Sequence, residues 1–297
     1  MSERAAGSIY DLGYQRYEGK RLGRVHTFRA LYLESLRSAF GFGRKTSSKV
    51  FPFGLLVVAS FPAIVQIIIG TFSSGAGVNL ELLAAEDYFE FISVVLALFC
   101  AAVAPELVGR DLRNRTLAIY FSRSMGRLDY SAAKLAAMVT AMMVITVGPL
   151  SLLFIGNGLV TNDLPAYISD EWGLILPILG SSLLASILIG SIGVAIASQT
   201  PRRMFGTIGI LVPLLLLFTF TNIVYRSFDS NVSWIAIYLS PFTVIDGFTK
   251  WFFGGTPEFV IVLSSDEPMR IAYVLAALMI TAVSSAVVVW RYERIDP

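Results

Sequence analysis

The side chains best suited to binding chemistry lie in one polar segment, residues 105–134, which reads PELVGRDLRNRTLAIYFSRSMGRLDYSAAK. Its centre, residues 114–123, is a short amphipathic stretch whose apolar side chains are expected to face water. Apolar side chains flanked by arginines bind another protein by burying rings and by pairing charges. The segment therefore predicts a docking element for a soluble partner. Its candidate anchors and steering charges are Leu117, Tyr120, Phe121, Arg113, Arg115 and Arg123.

The arginines of this segment have a simpler interpretation. Arginines accumulate in loops on the cytoplasmic side of a membrane, where they contact lipid phosphate. That interpretation accounts for part of the charge but not for the three apolar side chains between the arginines. We therefore keep docking as the prediction and lipid contact as its alternative.

The chain is poorly equipped for catalysis. It has one histidine, His26, and one cysteine, Cys100. An intramembrane serine protease or an HExxH metalloprotease needs histidine at its reaction centre, and His26 precedes the first apolar segment. A zinc or iron–sulfur site built on cysteine needs several thiolates. The sequence therefore predicts no enzymatic activity and no metal site.

Nucleotide binding and ion coupling are also poorly supported. Residues 41–46, GFGRKT, lack the GxxxxGK[ST] spacing of a phosphate-binding loop and follow no strand, so we interpret them as a basic connector. Ion-coupled carriers usually hold ionisable side chains deep in their spans. The candidates, Glu90 and Glu106, lie near segment ends, which disfavours ion-coupled transport.

Long apolar segments must position these residues. The chain is 55% hydrophobic and 15% charged, whereas soluble domains carry about 25% charged residues. About 20 apolar residues cross the roughly 30 Å of hydrocarbon in a bilayer, and six segments reach that length. The predicted spans are Phe51–Phe72, Phe89–Val108, Ala132–Ile155, Gly173–Ala197, Phe205–Tyr225 and Ile271–Trp290.

The distribution of charge predicts the orientation of these spans. Twenty of the 23 basic residues lie before the first span, in the second-to-third and fourth-to-fifth connections, or in the tail. The opposite side holds Arg226, Lys250 and Arg270, together with twelve of the 21 acidic residues. Cytoplasmic loops carry the excess of Lys and Arg. Both termini are therefore predicted to be cytoplasmic, in the cell inner (cytoplasmic) membrane.

Two segments are predicted to touch the membrane without crossing it. In the basic leader, residues 1–50, the stretch Thr27–Phe40 has one apolar face. It suits an interfacial helix, with packing on the bundle as the alternative. In the membrane domain, residues 51–297, the interrupted stretch Trp234–Leu263 predicts an outward re-entrant helical hairpin. The predicted fold class is therefore an all-α polytopic membrane protein.

The fourth predicted span carries a stripe of small residues, Ser182, Ser186 and Gly190, at four-residue steps. Small side chains allow helices to approach closely in lipid. We expect the stripe to pack within the bundle, with a dimer seam as the less favoured alternative.

Several short patterns occur together along the chain. They are Asp111, residues 115–117 (RTL), residues 122–123 (SR), Arg127, Lys134, residues 240–241 (SP) and the leader motif GYQRY at residues 13–17. With six spans, this set resembles the permease subunit of a type-2 ABC transporter, and the leader resembles those of actinobacterial members. The chain departs from the commoner pattern at Met125, where proline often follows the Ser-Arg step.

This resemblance implies partners and a mechanism. Two permease subunits, identical or homologous, would pair in the lipid membrane, and each would dock one of two copies of a separate ATPase subunit. ATP and magnesium would bind the ATPase, with no cofactor in this chain and no nucleic acid involved. The substrate of such an exporter would be lipid-like, drug-like or a peptide. The implied ATPase-docking residues are Arg113, Arg115, Thr116, Leu117, Tyr120, Phe121 and Arg123.

Two other functions stay open from the sequence. The chain could be a structural or regulatory subunit that docks a cytoplasmic partner without conducting anything, or an ATP-independent secondary carrier. A neighbouring ATPase gene would separate the permease from the carrier. Copurification of an ATPase without transport would favour the regulatory subunit.

Overall fold

A computed structural model of the chain describes residues 19, 22–76, 84–122, 125–161, 163–227, 236–254 and 269–295. Regular structure within these ranges is helical, with no strand. Six helices are long and apolar enough to cross a membrane, which confirms the predicted all-α, six-span class. These helices, called spans 1 to 6, are Ser47–Ser73, Tyr88–Arg113, Arg127–Val160, Leu164–Ala197, Arg203–Val224 and Ile271–Glu293.

The helices extend beyond the apolar segments that predicted them. Span 3 has 34 residues, a length of about 51 Å at 1.5 Å per residue. Its first turn is polar, and the Asp129 carboxylate accepts the backbone N–H of Gly126 at 3.2 Å. Hydropathy marks the part of a helix that lies in hydrocarbon, about 30 Å thick. Most of the boundaries predicted from hydropathy therefore fall inside the observed helix ends.

Span 2 is the most enclosed of the six, with 72% of its apolar window buried. It includes a π-helical turn at Pro105–Gly109. Proline has no backbone N–H, so the carbonyl of Ala101 lacks its usual helical partner. The Thr207 hydroxyl of span 5 donates to that carbonyl at 2.9 Å. The irregular backbone is thus satisfied by protein, as a low-dielectric surrounding requires.

The small residues of span 4 pack within the bundle, as predicted. A β-carbon on Gly193 would lie 2.0 Å from the sulfur of Cys100 in span 2. The Cys100 thiol donates to the carbonyl of Ile189 at 3.4 Å, and Ser182 and Ser186 are fully buried. Gly190 of the stripe lies against Met138 and Met142 of span 3, so the small residues of span 4 are enclosed within the bundle and are not a dimer seam.

The leader helix, Arg24–Ala39, covers most of the predicted Thr27–Phe40 segment. Its apolar face was predicted correctly, since Leu31, Ala39 and Phe40 are buried. That face packs on span 3, where the Tyr32 hydroxyl donates to Thr140 Oγ1 at 3.0 Å. The interpretation that lipid covers this face is wrong, because protein covers it. The alternative, packing on the bundle, is correct.

A buried helix, Pro241–Phe253, lies between spans 5 and 6, and we call it the outer helix. Residues 241–250 are all buried, and the helix contacts spans 2, 4, 5 and 6. It ends at Gly254, whose φ of 84° suits a glycine at a helix terminus. Much of the predicted hairpin Trp234–Leu263 lies outside the described residues, so its re-entrant course stays a prediction.

The spans alternate between two ends of the bundle that differ in charge. The basic end holds the leader helix and the connection between spans 2 and 3. The acidic end holds the outer helix and the connection between spans 3 and 4. We expect the basic end to face the cytoplasm, because it carries most of the Lys and Arg.

Cysteine labelling tests this orientation. Gly173 lies at the acidic end, in the turn Trp172–Leu174 that precedes the apolar helix Ile175–Ala197 of span 4. A cysteine replacing Gly173 should react with an impermeant maleimide on intact cells, because its β-carbon would stand in open space. A cysteine replacing the exposed Arg202 at the basic end should react only after permeabilisation. The native Cys100 is buried and adds little background. Labelling of Arg202→Cys in intact cells would reverse the topology.

Candidate functional site

The predicted docking segment forms a short helix, Leu117–Phe121, within the predicted range 114–123. It follows span 2 through a turn in which Arg115 has a φ of 54°, a conformation that few residues other than glycine adopt. The backbone N–H and the hydroxyl of Thr116 both donate to the carbonyl of Asp111, at 3.1 and 3.3 Å. These bonds fix the direction in which the short helix leaves span 2.

One face of the short helix is turned into the protein. Leu117 is 5% exposed, and Tyr120 and Phe121 are half-buried. The expectation that these three side chains face water is wrong. Their spacing of i, i+3 and i+4 places them on a single helix face, and that face packs on the bundle. Ile119, which is 58% exposed, is the large apolar side chain that the short helix presents outward.

Tyr130, at the start of span 3, lies against the inward face of the short helix. The rings of Tyr120 and Phe121 each have their centroid 5.8 Å from the Tyr130 ring. The Tyr130 ring also contacts the ring of Tyr292, at the end of span 6, and the two ring centroids are 4.9 Å apart. Aromatic pairs at such separations contribute about 0.5–1.5 kcal/mol each beyond their buried area. The short helix is thereby joined to spans 3 and 6.

A buried ion pair lies beside these rings. Lys134 Nζ is 2.8 Å from Asp111 Oδ2, and the Tyr130 hydroxyl donates to the same oxygen at 2.8 Å. Lys134 also donates to the carbonyl of Leu107 in the π-helical turn, at 2.9 Å. Charges so enclosed are stable only with their partners and hydrogen bonds in place. Asp111, Tyr130, Lys134 and Tyr292 form a group that we call the junction.

Tyr120 is held in its neutral form beside the junction. Burial, followed by the negative charges of Asp111 and Glu34, raises the pKa of Tyr120 above its ordinary value. The phenol therefore carries no charge at physiological pH, and its ring contact with Tyr130 does not vary with pH in that range.

The predicted steering arginines divide into two groups. Arg113 and Arg115 are exposed, whereas Arg123 lies outside the described residues. Ile119, Arg113 and Arg115 together form what we call the docking surface. An exposed apolar side chain with nearby basic groups suits a partner that has an apolar pocket and an acidic rim.

No protein-family model matches this chain, and a comparison with curated proteins gives no significant match. The resemblance to type-2 ABC permeases therefore rests on the residues quoted for it. Two of those residues, Asp111 and Lys134, are in direct contact at the junction.

Sequence reasoning missed Ile119, Tyr130 and Tyr292. A signal for Ile119 was available, because a residue two positions after Leu117 lies on the other side of a helix that buries positions i, i+3 and i+4. The pairing of Tyr130 with Tyr292 gave no local signal, since the two residues are far apart in the sequence.

A second charge cluster, with a buried lysine at its centre, lies at the acidic end. Lys250 of the outer helix is 1% exposed. Its Nζ lies 3.7 Å from Asp246 and 3.9 Å from Asp87, which immediately precedes span 2. Asp246 and Lys250 are two of the residues that interrupt the apolar stretch Trp234–Leu263 in the sequence. In the fold they face inward and help to attach the outer helix to span 2.

Proposed function

We propose that this chain is the permease subunit of an ATP-driven transporter of the type-2 ABC class, with its ATPase on a separate subunit docked at the basic end. The observation that carries the proposal is the junction. Two charged residues of the sequence motif, Asp111 and Lys134, are paired in a largely enclosed site, with side chains 14% and 5% exposed, next to a short helix that presents Ile119 outward beside Arg113 and Arg115. A partner on that helix would act on several spans at once.

The junction supports a simple mechanical role. Packed rings and a hydrogen-bonded ion pair resist deformation, so a displacement of the short helix is passed on to the groups it contacts. Those groups belong to spans 2, 3 and 6. Closure of two ATPase subunits would move the two short helices of a permease pair and shift these spans, opening a path between the permeases.

The outer surface of the bundle suits a second permease subunit. Only 28% of the apolar window of span 1 and 22% of that of span 5 are buried. Such helices need lipid or another apolar protein around them. A pair of permeases would cover part of this surface and place the transport path between the two subunits.

A cavity at the acidic end supports an amphipathic substrate for the proposed exporter. It has a volume of about 300 Å³, and its lining includes Leu153, Phe154 and Ile178 as well as the carboxylates of Glu86 and Glu171. An apolar floor with a few polar groups is typical of small-molecule sites. Lipid-like, drug-like and peptide substrates all fit this description.

An ATP hydrolysis assay tests whether the ATPase lies on a separate subunit. The purified chain alone should not hydrolyse ATP, because its sequence has no GxxxxGK[ST] loop to hold the phosphates. Hydrolysis should appear only when a separate ATPase subunit is present. Turnover by the contaminant-free chain, at a rate that scales with its concentration, would refute the proposal.

A further inference from the structure

A second cavity, of about 260 Å³, opens at the basic end between the leader connection and spans 1, 2 and 5. Gly41 shapes one wall. Its φ is 73°, and a β-carbon there would lie 2.6 Å from the carbonyl oxygen of Ser48, so only glycine lets the connection fold this closely onto span 1. The polar side chains of the lining are Ser38, Arg44, Ser47, Ser48, Glu106 and Arg203.

The two arginines of this cavity differ in their contacts. Arg44 donates to Glu106 Oε1 at 2.6 Å and to Ser38 Oγ at 2.7 Å. Arg203 comes no closer than 3.8 Å to Glu106, beyond hydrogen-bond distance, and its side chain is 60% exposed. Two guanidinium groups thus share one carboxylate. The cavity keeps a net positive charge, and Arg203 is placed to bind an anion.

The cavity lies at the edge of the apolar layer, because Ser47 and Arg203 are the first residues of spans 1 and 5. Phe51, the large apolar side chain that lines the cavity, is 49% exposed. A phosphate on the arginines would place the attached acyl chains next to this side chain. Basic pockets between spans on the cytoplasmic side are known to bind anionic lipid headgroups.

We propose that this cavity binds the phosphate of an anionic phospholipid. Arg203 is the main ligand, because a guanidinium pairs with phosphate through two parallel hydrogen bonds. The hydroxyls of Ser47 and Ser48 are further donors, and the acyl chains lie along Phe51. Glu106 weakens the site, since it holds Arg44 and offsets one positive charge. The site is independent of the proposed transport function.

A lipid titration of the full chain tests this site. Delipidated protein in a neutral detergent is titrated with dioleoylphosphatidylglycerol, and bound lipid is counted by native mass spectrometry. Arg203→Ala should weaken binding about tenfold or more, the effect of losing a charged hydrogen bond. The exposed side chain makes a folding defect in this variant unexpected.

Arg202 provides a matched control for this titration. It carries the same charge one residue earlier, but it lies over the Phe205 ring at 5.7 Å and does not line the cavity. Arg202→Ala should change lipid affinity less than about twofold. An equal loss in both variants would indicate diffuse attraction by surface charge and would overturn the proposed site.

Two further ligands separate a lipid from a free anion. Dioleoylphosphatidylcholine has a compensating positive charge and should bind more weakly than phosphatidylglycerol. Inorganic phosphate should not displace phosphatidylglycerol, because it lacks the acyl chains that contact Phe51. Displacement by inorganic phosphate at comparable concentration, or equal binding of the two lipids, would overturn the assignment to an anionic lipid.

Glu106→Gln should change the affinity in the opposite direction. Removing the carboxylate leaves two uncompensated guanidinium groups in the cavity, so phosphatidylglycerol should bind more tightly than to the native chain. If the ion pairs serve only to hold the leader connection and spans 2 and 5 together, this variant would lose thermal stability without any gain in lipid affinity. That result would contradict the proposal.

Discussion

Lys134→Met should destabilise the folded protein more than a change at any exposed lysine. Lys134 is 4% exposed, and its ammonium bonds both Asp111 and the carbonyl of Leu107. Without it, the Asp111 carboxylate is left enclosed without its cation, and breaking a buried pair in this way costs about 3–5 kcal/mol. In a chain of this size the midpoint of thermal unfolding should fall by roughly 6 °C or more.

Intrinsic fluorescence during heating of the purified protein measures this effect. Lys45→Met is the matched control, because Lys45 is exposed and should tolerate the change. The double variant Lys134→Met with Asp111→Leu should recover part of the loss, since it removes both charges. The buried ion pair would be contradicted if Lys134→Met unfolded at the same temperature as Lys45→Met. It would also be contradicted if the double variant lost more stability than the two single variants together.

Ile119→Asp should release the proposed ATPase partner while leaving the permease folded. Ile119 is 58% exposed, so the substitution disturbs little within the chain. A charge placed at an apolar anchor of an interface costs about 2 kcal/mol or more, which is some thirtyfold in affinity. Copurification of the ATPase with each variant, alongside the thermal midpoint of the permease, measures the effect.

Val25→Asp is the control for this substitution. Val25 is a β-branched apolar side chain on the leader helix at the basic end; it is 72% exposed and lies outside the docking surface. Tyr120→Ala with Phe121→Ala is a less informative variant. The two rings pack on Tyr130, so their loss should also lower stability. If a stable Ile119→Asp variant retained all of its ATPase, the docking prediction for residues 105–134 would be wrong, and contact with lipid phosphate would be the better interpretation.

Hydropathy and charge predicted the spans because each depends on local composition. A helix in lipid must be apolar over about 20 residues whatever its neighbours are. The same reasoning could not place Lys134. Lys134 was interpreted as part of a positively charged connection, but in the fold it is buried against Asp111 of the preceding span. Contacts of this kind depend on how helices pack, which hydropathy does not record.

The short helix and the leader helix show a different limit. Periodicity identified the apolar face of each one correctly. It did not identify what covers that face, and both faces are covered by the bundle instead of by lipid or water. Leu117 and Leu31 are each about as buried as core residues, at 5% and 6% exposure. Once the inward face is known, the same periodicity predicts that Ile119 faces outward. The docking surface could therefore have been predicted more accurately from the sequence.

Recovery of the intact chain from its native membrane tests the central claim most directly. The measurement is affinity purification in mild detergent, identification of the copurified proteins by mass spectrometry, and assay of ATP hydrolysis by the complex. We expect a separate subunit with a GxxxxGK[ST] loop, bound in equal amount to the permease and lost from the Ile119→Asp variant. A chain that is recovered fully folded, with partners that all lack a nucleotide-binding loop, would contradict its assignment as an ABC permease.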